Sequence, residues 1–398
     1  MVRPAASVRW QAWAGLIRNE AGIHPVRNNC CGMTRGLERV TLFRLRVPLW
    51  APYRLAFGPV HHFDTIVTEI VDRDGNAGIG EATILTGYTD ETIEQSWQAA
   101  QQFAGELAAA PEDAAKQVAE LGLQFPFTAT AFGTALEMLQ GSRWLALSAD
   151  ASVPLVGLLN AKDEASMQTE FDALLRAGYR TIKVKVGFEL AKDIELVKAF
   201  QRVVNGRASI RLDANQAYTA EQGMAFVRAL DPADIELFEQ PCAAGDWDAH
   251  LAVARAAQVP MMLDESIYGI ADIEKAAKLK AATYVKLKLM KLVTLDALAG
   301  AINRIRELGM KPVLGNGVAC DPGCWMEGCI AARMIDNAGE MNGFLKARAP
   351  LLRGGLEFGD GAMQLKAGHT PQLDRAGIDA FAVDTLSCQP RAAVGAAH

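Results

Sequence analysis

The sequence predicts an α/β fold in which a (β/α)8-type barrel, a modified TIM barrel, carries an α+β capping domain. The first observation is that residues 151–347 alternate eight short β-rich runs with helical patterns, as a parallel barrel does. The second is that residues 37–150 place strand-like runs first and helical runs after them, which is the order of an α+β domain. A length of 398 residues accommodates both domains.

The predicted capping domain opens with strand-like alternation. The runs "RVTLFRLRVPL" and "FDTIVTEIVD", an Asp74-Gly75 turn and the run "AGIGEATIL" predict a three-stranded antiparallel sheet. Residues 90–147 then carry apolar side chains at i, i+3 and i+4, so helices follow the sheet. The loop-rich segment 348–390 is expected to fold back on this domain. Residues 1–36 lack any sustained period and are predicted to be a disordered or non-native extension, with Met33 as an alternative start.

Eight short apolar and β-branched runs are the predicted barrel strands. In chain order they are "VPLVGLL", "TIKVKVG", "SIRLDAN", "IELFEQP", "PMMLDES", "TYVKLKL", "KPVLGNG" and "EMNGFL". Helical patterns such as "DEASMQTEFDALLRAG" separate them. Because active sites of such barrels lie at the carboxyl ends of the strands, the side chains there are the first candidates for chemistry.

Bulk composition excludes several classes of function. The formal net charge is -6 and the pI is about 5.6, so no broad basic surface is available to nucleic acid or an anionic membrane. No apolar run reaches the roughly 20 residues needed to span a bilayer. Seven scattered cysteines predict buried thiols rather than a disulfide framework or a zinc site. We expect a cytoplasmic homo-oligomer whose partner is a small-molecule carboxylate.

Three carboxylates follow consecutive predicted strands. Asp213, Glu239 and Asp264 are 26 and 25 residues apart (239−213 and 264−239), about one βα unit each. Hard oxygen ligands from adjacent strands suit Mg2+, with Mn2+ as the alternative, and leave coordination positions for water and substrate. Acids that merely cap the following helices would explain one such residue well but three in register poorly. The spacing therefore predicts a divalent-metal site.

Two lysines are expected on opposite sides of this metal site. Lys185 ends the second predicted strand and Lys288 the sixth, and these strands face each other across an eight-stranded ring. Opposed bases can remove a proton on one face of a substrate and return one on the other. A lysine is a base near neutral pH only when its pKa falls from about 10.4, which a cation such as Lys183 or the metal can cause. Surface lysines, the alternative, fit poorly with strands buried on both sides.

Together, the Lys-x-Lys strand, the Asp/Glu/Asp ladder and the "KLMK" strand resemble the enolase superfamily, in particular its muconate-lactonizing-enzyme subgroup, over residues 37–370. The resemblance implies abstraction of the α-proton of a carboxylate, with the metal as Lewis acid on the enediolate. It also implies a role for each matching residue. The implied roles are metal ligands Asp213, Glu239 and Asp264, general bases Lys185 and Lys288, enolate stabilisation by Lys183, and orientation of ligands and of Lys288 by Asn215 and Glu265.

The sequence departs from the subgroup at two places that concern the substrate. Leu292-Val293 follow "KLMK" where relatives often have two glycines, and Glu340-Met341-Asn342 stands where dipeptide epimerases have an Asp-x-Asp pattern. In those epimerases the acidic pair holds the ammonium group of the substrate, so one retained acid suggests an amine bound in a different geometry. The resemblance therefore disfavours a dipeptide epimerase.

Substrate contacts are expected from the capping-domain loops and from the loops after strands seven and eight. The loops "LWAPYRLAFG" and "TILTGYTDE" offer aromatic side chains over the barrel mouth. An aromatic enclosure favours a compact, partly apolar ring as the ligand. The candidate contacts are Tyr53, Tyr88, Asn316, Asp321, Glu340 and Asn342.

The strand-seven and strand-eight motifs favour a dehydratase that acts on a small cyclic hydroxy amino acid such as cis-3-hydroxy-L-proline. An amino-acid or N-acylamino-acid racemase or epimerase, and a cycloisomerase or synthase of the same subgroup, begin with the same proton transfer and stay open. A catalytically dead barrel used as a binding module is the alternative from another class. Intact bases and intact metal ligands argue against it.

Overall fold

The computed structural model describes residues 36–55 and 58–390, so the predicted N-terminal extension lies outside the described residues except for Gly36. The capping sheet has four antiparallel strands in the order β14-β1-β2-β3, one more than the sequence predicts. The fourth strand comes from the end of the described chain and pairs with β1 from Val40–Cys388 to Leu45–Ala382. The strands are β1 (Leu37–Leu55), β2 (Gly58–Asp72), β3 (Ala77–Ile84) and β14 (Ala382–Cys388).

Helices follow the first three strands, as the change of period predicts. The long buried helix α3 packs directly on β3, because Gly78 and Gly80 carry no side chain there. An added Cβ at these glycines would lie 1.9 Å from the carbonyl oxygens of Ala135 and Ala131. The helices are α1 (Ile93–Ala109), α2 (Ala114–Gly122) and α3 (Pro126–Leu139), with a 3-10 turn at Pro111–Asp113.

The barrel contains seven parallel strands in sequential order from β5 to β11. These strands are β5 (Gly157–Leu159), β6 (Thr181–Lys185), β7 (Ser209–Asp213), β8 (Ile235–Glu239), β9 (Met261–Leu263), β10 (Tyr284–Leu287) and β11 (Lys311–Leu314). The helices around them are α4 (Glu164–Arg176), α5 (Leu190–Val204), α6 (Ala220–Ala229), α7 (Trp247–Ala256), α8 (Ile270–Leu279), α9 (Leu289–Leu292), α10 (Leu295–Glu307) and α11 (Asp321–Met334).

The first and eighth predicted strands differ from the expectation. The first run is divided between β5 and a separate strand, β4 (Ala151–Pro154), which joins β12 (Glu357–Gly359) and β13 (Ala362–Leu365) in a small antiparallel sheet. The eighth run is not a regular strand. Gly339 makes a single bridge to Leu155, and the chain then enters a 3-10 turn at Gly343–Leu345.

This turn packs so tightly that a ladder cannot continue through it. A Cβ at Gly343 would lie 2.0 Å from the carbonyl oxygen of Ala319. The ring is nevertheless closed, because Glu340 N donates to the Leu314 carbonyl at 3.0 Å and Val156 N donates to the Gly339 carbonyl at 2.9 Å. One further helix, α12 (Arg375–Phe381), precedes β14.

An ion pair between a fully buried arginine on β7 and a half-buried glutamate on β8 stabilises the barrel. The Arg211 side chain is fully buried, and its guanidinium donates to the two Glu236 oxygens at 2.9 and 2.8 Å and to the Ala338 carbonyl at 2.7 Å. Removing one partner of a buried pair strands the other charge in a poorly solvated place. We expect Glu236→Ala to lower the free energy of unfolding by about 3 kcal/mol.

Denaturant titration followed by circular dichroism tests this expectation. The matched control is Glu274→Ala, which removes the partner of the exposed Arg304 at 2.8 Å and should cost less than about 1 kcal/mol. Equal losses in the two variants would show that the buried pair has no special role.

Candidate active site

Three carboxylates lie side by side at one rim of the barrel. Asp213 ends β7 and is in register with Glu239, which ends β8, and Asp264 directly follows β9. All three are buried, with 3% or less of each residue exposed. The rim position follows from the parallel strands, since each βα unit returns the chain to the same end of the barrel.

Two lysines flank this row of carboxylates. Lys185, which ends β6, donates to Asp213 Oδ2 at 2.5 Å and also to Asn215. Lys288, directly after β10, donates to Asp264 Oδ2 at 2.6 Å. Because β6 and β10 border the β7-β8-β9 segment on either side, the row of acids separates the two ammonium groups.

Lys183 lies deeper in the barrel than Lys185 and binds three acids. Its Nζ lies 2.8 Å from Asp213, 2.7 Å from Glu239 and 2.9 Å from Glu340. Burial would lower the pKa of Lys183, but these three carboxylates outweigh it and hold the pKa well above its usual range. Lys183 is therefore a fixed cation, as a residue that stabilises negative charge should be.

Lys286 is a fourth lysine of the site and was not among the residues predicted from the sequence. Its Nζ lies 3.1 Å from Glu239, 2.7 Å from Glu340 and 3.6 Å from Asp264. The spacing of two between Lys286 and Lys288 repeats the spacing of Lys183 and Lys185, so the alternation of a strand could have identified it.

The electrostatics differ between the members of the row. Burial and the neighbouring Asp213 raise the pKa of Glu239 to about 7, against the opposing effect of Lys183 and Lys286. Burial would also raise the pKa of Asp213, but Lys183, Lys185 and Lys286 hold it well below its usual range. Crowded acids of this kind are balanced by several cations.

Lys288 is a lysine whose surroundings lower its pKa, although it also donates to Asp264. It is buried, and burial together with the nearby Lys291 ammonium holds its pKa well below its usual range. Lys291 Nζ is fixed by the carbonyl oxygens of Asp264 and Ile267 at 3.0 and 2.8 Å. The ammonium that lowers the pKa of Lys288 is therefore that of Lys291, whereas the sequence suggested Lys183 or the metal for this effect.

The row of acids has the donor set of a divalent-cation site. In the described part of the chain, no three His, Cys, Asp or Glu side chains already converge as a metal cage, and the carboxylates of the row are instead paired with lysines. Asp264 Oδ1 is buried and makes no hydrogen bond, with Lys291 Nζ at 3.5 Å. A buried acid oxygen without a donor, beside Glu239 with its raised pKa, fits a hard cation.

Asn215 and Glu265 link the two ends of the row. Asn215 accepts from Lys185 and donates from Nδ2 to Glu265 Oε1 at 3.0 Å. Burial, with Asp264 and Asp213 nearby, raises the pKa of Glu265 to about 8. The pair thus fixes the position of the Lys185 ammonium.

Two tyrosines of the capping domain lie over two lysines of the barrel. The Tyr88 ring is 4.3 Å from Lys288 Nζ, and the Tyr53 ring is 4.6 Å from Lys346 Nζ. Trp50 and Tyr53, expected in a loop, both lie on strand β1. Trp50 is 67% exposed, and Phe57 lies outside the described residues. Tyr53 and Tyr88 therefore reach the rim from the capping domain.

Of the remaining candidate substrate contacts, Glu340 and Asn342 bind lysines of the rim, whereas Asn316 binds its own loop. Glu340 contacts Lys183 and Lys286 and so belongs to the group of acids and lysines at the rim, which we call the charged cluster. Asn342 Oδ1 accepts from Lys346 at 2.6 Å. Asn316 folds back on its own loop, donating to the Val318 carbonyl at 3.0 Å and accepting from Val318 N at 3.1 Å. Its side chain therefore mainly shapes the strand-seven loop.

Asp321 has no free oxygen to offer a substrate, because backbone amides use both. Its two oxygens accept from the backbone amides of Leu351 and Leu352 at 2.8 and 2.7 Å, and the residue is 2% exposed. Both oxygens are used to anchor the segment that follows the barrel. The expected substrate contact is corrected on this ground.

The buried cysteines do not form a second reactive or metal-binding group. Cys320, Cys324 and Cys329 are free and buried, and burial raises the pKa of each thiol. Thiols with raised pKa values are poor nucleophiles and poor metal ligands. Within residues 36–55 and 58–390, no helix is long and apolar enough to cross a membrane.

Comparisons with known proteins show the family of this chain. Residues 166–371 match the family described as "Enolase C-terminal domain-like". The o-succinylbenzoate synthase of Geobacillus stearothermophilus is 29% identical over 297 residues, which cover 69% of this chain and 75% of that protein. The L-Ala-D/L-Glu epimerase of Clostridium acetobutylicum is 25% identical over 318 residues, which cover 74% of this chain and 84% of that protein.

A similar fold is found among solved structures. A dipeptide epimerase from Cytophaga hutchinsonii, complexed with Mg and the dipeptide D-Ala-L-Val, superposes with a TM-score of 0.78. The superposition covers 88% of this chain and 99% of that one at 19% sequence identity. At this identity the likeness concerns the fold alone.

Proposed function

Because this chain belongs to the enolase superfamily, we propose that it is a metal-dependent racemase or epimerase that moves the α-proton of a small amino-acid-derived carboxylate. The observation that carries the proposal is the arrangement Lys185, row of acids, Lys288 across five adjacent strands. A base on each side of one anion-binding centre is what inversion at a carbon requires. The relatives named as a synthase and an epimerase are consistent with chemistry that starts at such a carbon.

The row Asp213, Glu239 and Asp264 would hold the metal. A bound Mg2+ or Mn2+ supplies a Lewis acid that neutralises the substrate carboxylate as it gains charge. Lys183, paired with three carboxylates, adds a fixed positive charge beneath it. Such preorganised charge is worth most where water is excluded.

The lysines divide the proton transfer between them. Lys288, whose pKa is well below its usual range, can accept the α-proton from one face. Lys185, which is 31% exposed and donates to Asp213 and Asn215, can deliver a proton to the other face. In the reverse direction the roles of the two Nζ atoms exchange.

The charged cluster also bears on the kind of substrate. Both Glu340 oxygens are bound, one by Lys183 at 2.9 Å and the other by Lys286 at 2.7 Å. Burial would raise the pKa of Glu340, but these two ammonium groups outweigh it and hold the pKa well below its usual range. A substrate ammonium would have to displace one of two buried lysines. This favours a substrate whose nitrogen is uncharged, as in an N-acylamino acid.

Dehydration of a cyclic hydroxy amino acid such as cis-3-hydroxy-L-proline is the second candidate. The observation that favours it is the replacement of an acidic pair by Glu340 and Asn342. In that reaction the same base would take the α-proton and the hydroxyl would leave from the adjacent carbon. Lys185 would then protonate the leaving oxygen instead of the α-carbon.

A substrate panel in D2O separates the two candidates. Single enantiomers of N-acylamino acids, dipeptides and cis-3-hydroxy-L-proline are incubated with enzyme and Mg2+, then examined by NMR, chiral chromatography and mass spectrometry. We expect α-deuterium with inverted configuration in an N-acylamino acid. Loss of water from the hydroxy amino acid without inversion would establish the second candidate, and no exchange in any compound would favour a binding module.

A further inference from the structure

Lys346 is a lysine of the rim that the proposed chemistry does not use. It follows the 3-10 turn after Gly339, and its Nζ donates to the Gly317 carbonyl at 2.9 Å and to Asn342 Oδ1 at 2.6 Å. The Tyr53 ring of the capping domain covers the same ammonium at 4.6 Å. Three separate segments therefore meet at one cation.

The surroundings of Lys346 Nζ are closely packed because residue 317 is a glycine. A Cβ added there would lie 3.0 Å from Tyr53 Oη, 3.2 Å from Lys346 Nζ and 3.4 Å from Asn342 Oδ1. Only a residue without a side chain lets these polar atoms approach one another without a shift. The three groups form a polar patch between the capping domain and the barrel, which we call the Lys346 cluster.

The Lys346 cluster contains no anion. Among the described residues, Lys346 Nζ has no carboxylate within ion-pair distance, since its two hydrogen-bond acceptors are a backbone carbonyl and an amide. Lys183 and Lys286, by contrast, each contact at least two carboxylates. Burying a charge without a counter-charge is unfavourable. The Lys346 ammonium therefore lacks an anionic partner that a ligand could supply.

The cluster is also within electrostatic reach of the site. Burial lowers the pKa of Lys346, Tyr53 and Glu340 oppose this effect, and the Lys183 ammonium adds to it. Glu340 cannot serve as the missing partner, because its oxygens are bound by Lys183 and Lys286. A ligand that spans from the row of acids to the capping domain would reach Lys346.

We propose that Lys346 is a specificity residue that receives a second carboxylate of the substrate, on the part remote from the α-carbon. This inference rests on the proposed function and narrows its substrate class to dicarboxylates, such as an amino acid carrying a dicarboxylic acyl group. One carboxylate goes to the row of acids and its metal, and the other completes the ion pair at Lys346. The Tyr53 ring and Asn342 hold the ammonium in place for it.

The test compares a charged and an uncharged acyl group. N-succinylglycine and N-acetylglycine are added to the enzyme with Mg2+, and binding is measured by isothermal titration calorimetry. Lys346→Met should weaken N-succinylglycine binding about 10- to 100-fold and leave N-acetylglycine binding nearly unchanged, and Lys346→Arg should restore most of the loss. The control is Lys311→Met, which removes another lysine over a tyrosine, 5.4 Å from the Tyr284 ring, on the first residue of β11.

The possible outcomes separate this inference from the proposed function. Equal weakening of both ligands, or equal binding of both by wild-type enzyme, would overturn the role of Lys346. Selective binding of N-succinylglycine without α-proton exchange of any N-succinylamino acid would support the dicarboxylate subsite while the racemase proposal fails. Melting temperatures without ligand check that each variant is folded.

Discussion

Glu239→Gln is expected to abolish turnover of every substrate while the barrel stays folded. Glu239 is the central member of the row, fully buried between Asp213 and Asp264, so its loss removes both a metal ligand and a negative charge. Charge stabilisation in a water-excluded site contributes about 10²–10³-fold per group, and loss of the metal would remove more. The measurements are the rate of α-proton exchange by NMR and Mg2+ affinity by calorimetry.

The matched control for this variant lies on the same strand. Glu236→Gln makes the same change three residues earlier, at the Arg211 pair, and should keep activity when assayed well below its melting temperature. Wild-type activity in Glu239→Gln, or full wild-type turnover in chelator without divalent ions, would contradict the metal site.

Replacing either lysine with alanine is expected to cost about 10²–10⁴-fold in turnover, because a positioned general base contributes that much. The two variants should differ in what they retain. A racemase lacking Lys288 should still exchange the α-proton of the enantiomer that Lys185 serves, and Lys185→Ala should show the mirror-image pattern. Enantiomer-resolved exchange in D2O measures this directly.

The dehydratase alternative predicts a different pattern for the same pair of variants. One variant would lose α-proton exchange altogether, and the other would retain exchange and lose mainly elimination. A third variant, Lys291→Met, tests the effect of the Lys291 ammonium, which lowers the pKa of Lys288 but is not part of the row of acids. Complete exchange of both enantiomers by both alanine variants would remove the lysines from the mechanism.

The rim of the barrel was predictable because its geometry repeats. Each βα unit returns the chain to the same end, so spacings of 26 and 25 residues (239−213 and 264−239) place Asp213, Glu239 and Asp264 together. The same alternation that connects Lys183 with Lys185 would have identified Lys286. Lys286 was not predicted, although the alternation of side chains along its strand is present in the sequence.

Other features depend on contacts between distant segments and leave little local trace. The fourth capping strand pairs Val40 with Cys388, and most of β14 is exposed, so its pattern is not that of a buried strand. Lys346 meets Tyr53, which lies far earlier in the chain. Asp321 was expected at the mouth because a sequence does not reveal which backbone amides a buried acid will accept.

Val293 shows how a departure from the subgroup is accommodated. It adopts φ +70°, a conformation that costs a β-branched residue about 1–3 kcal/mol and that glycine adopts without this penalty. Its side chain is buried against the capping domain, where a Cβ on Gly122 would lie 3.2 Å from Val293 Cγ2.

The most direct test of the central claim is the metal dependence of α-proton exchange. Wild-type enzyme is stripped of divalent ions, mixed with an N-acylamino acid in D2O, and followed by NMR before and after addition of Mg2+. We expect no exchange without metal and rapid incorporation of one deuterium at the α-carbon with it. Undiminished exchange in the stripped enzyme, or conversion of substrate with no deuterium at the α-carbon, would contradict a metal-assisted proton abstraction by lysine.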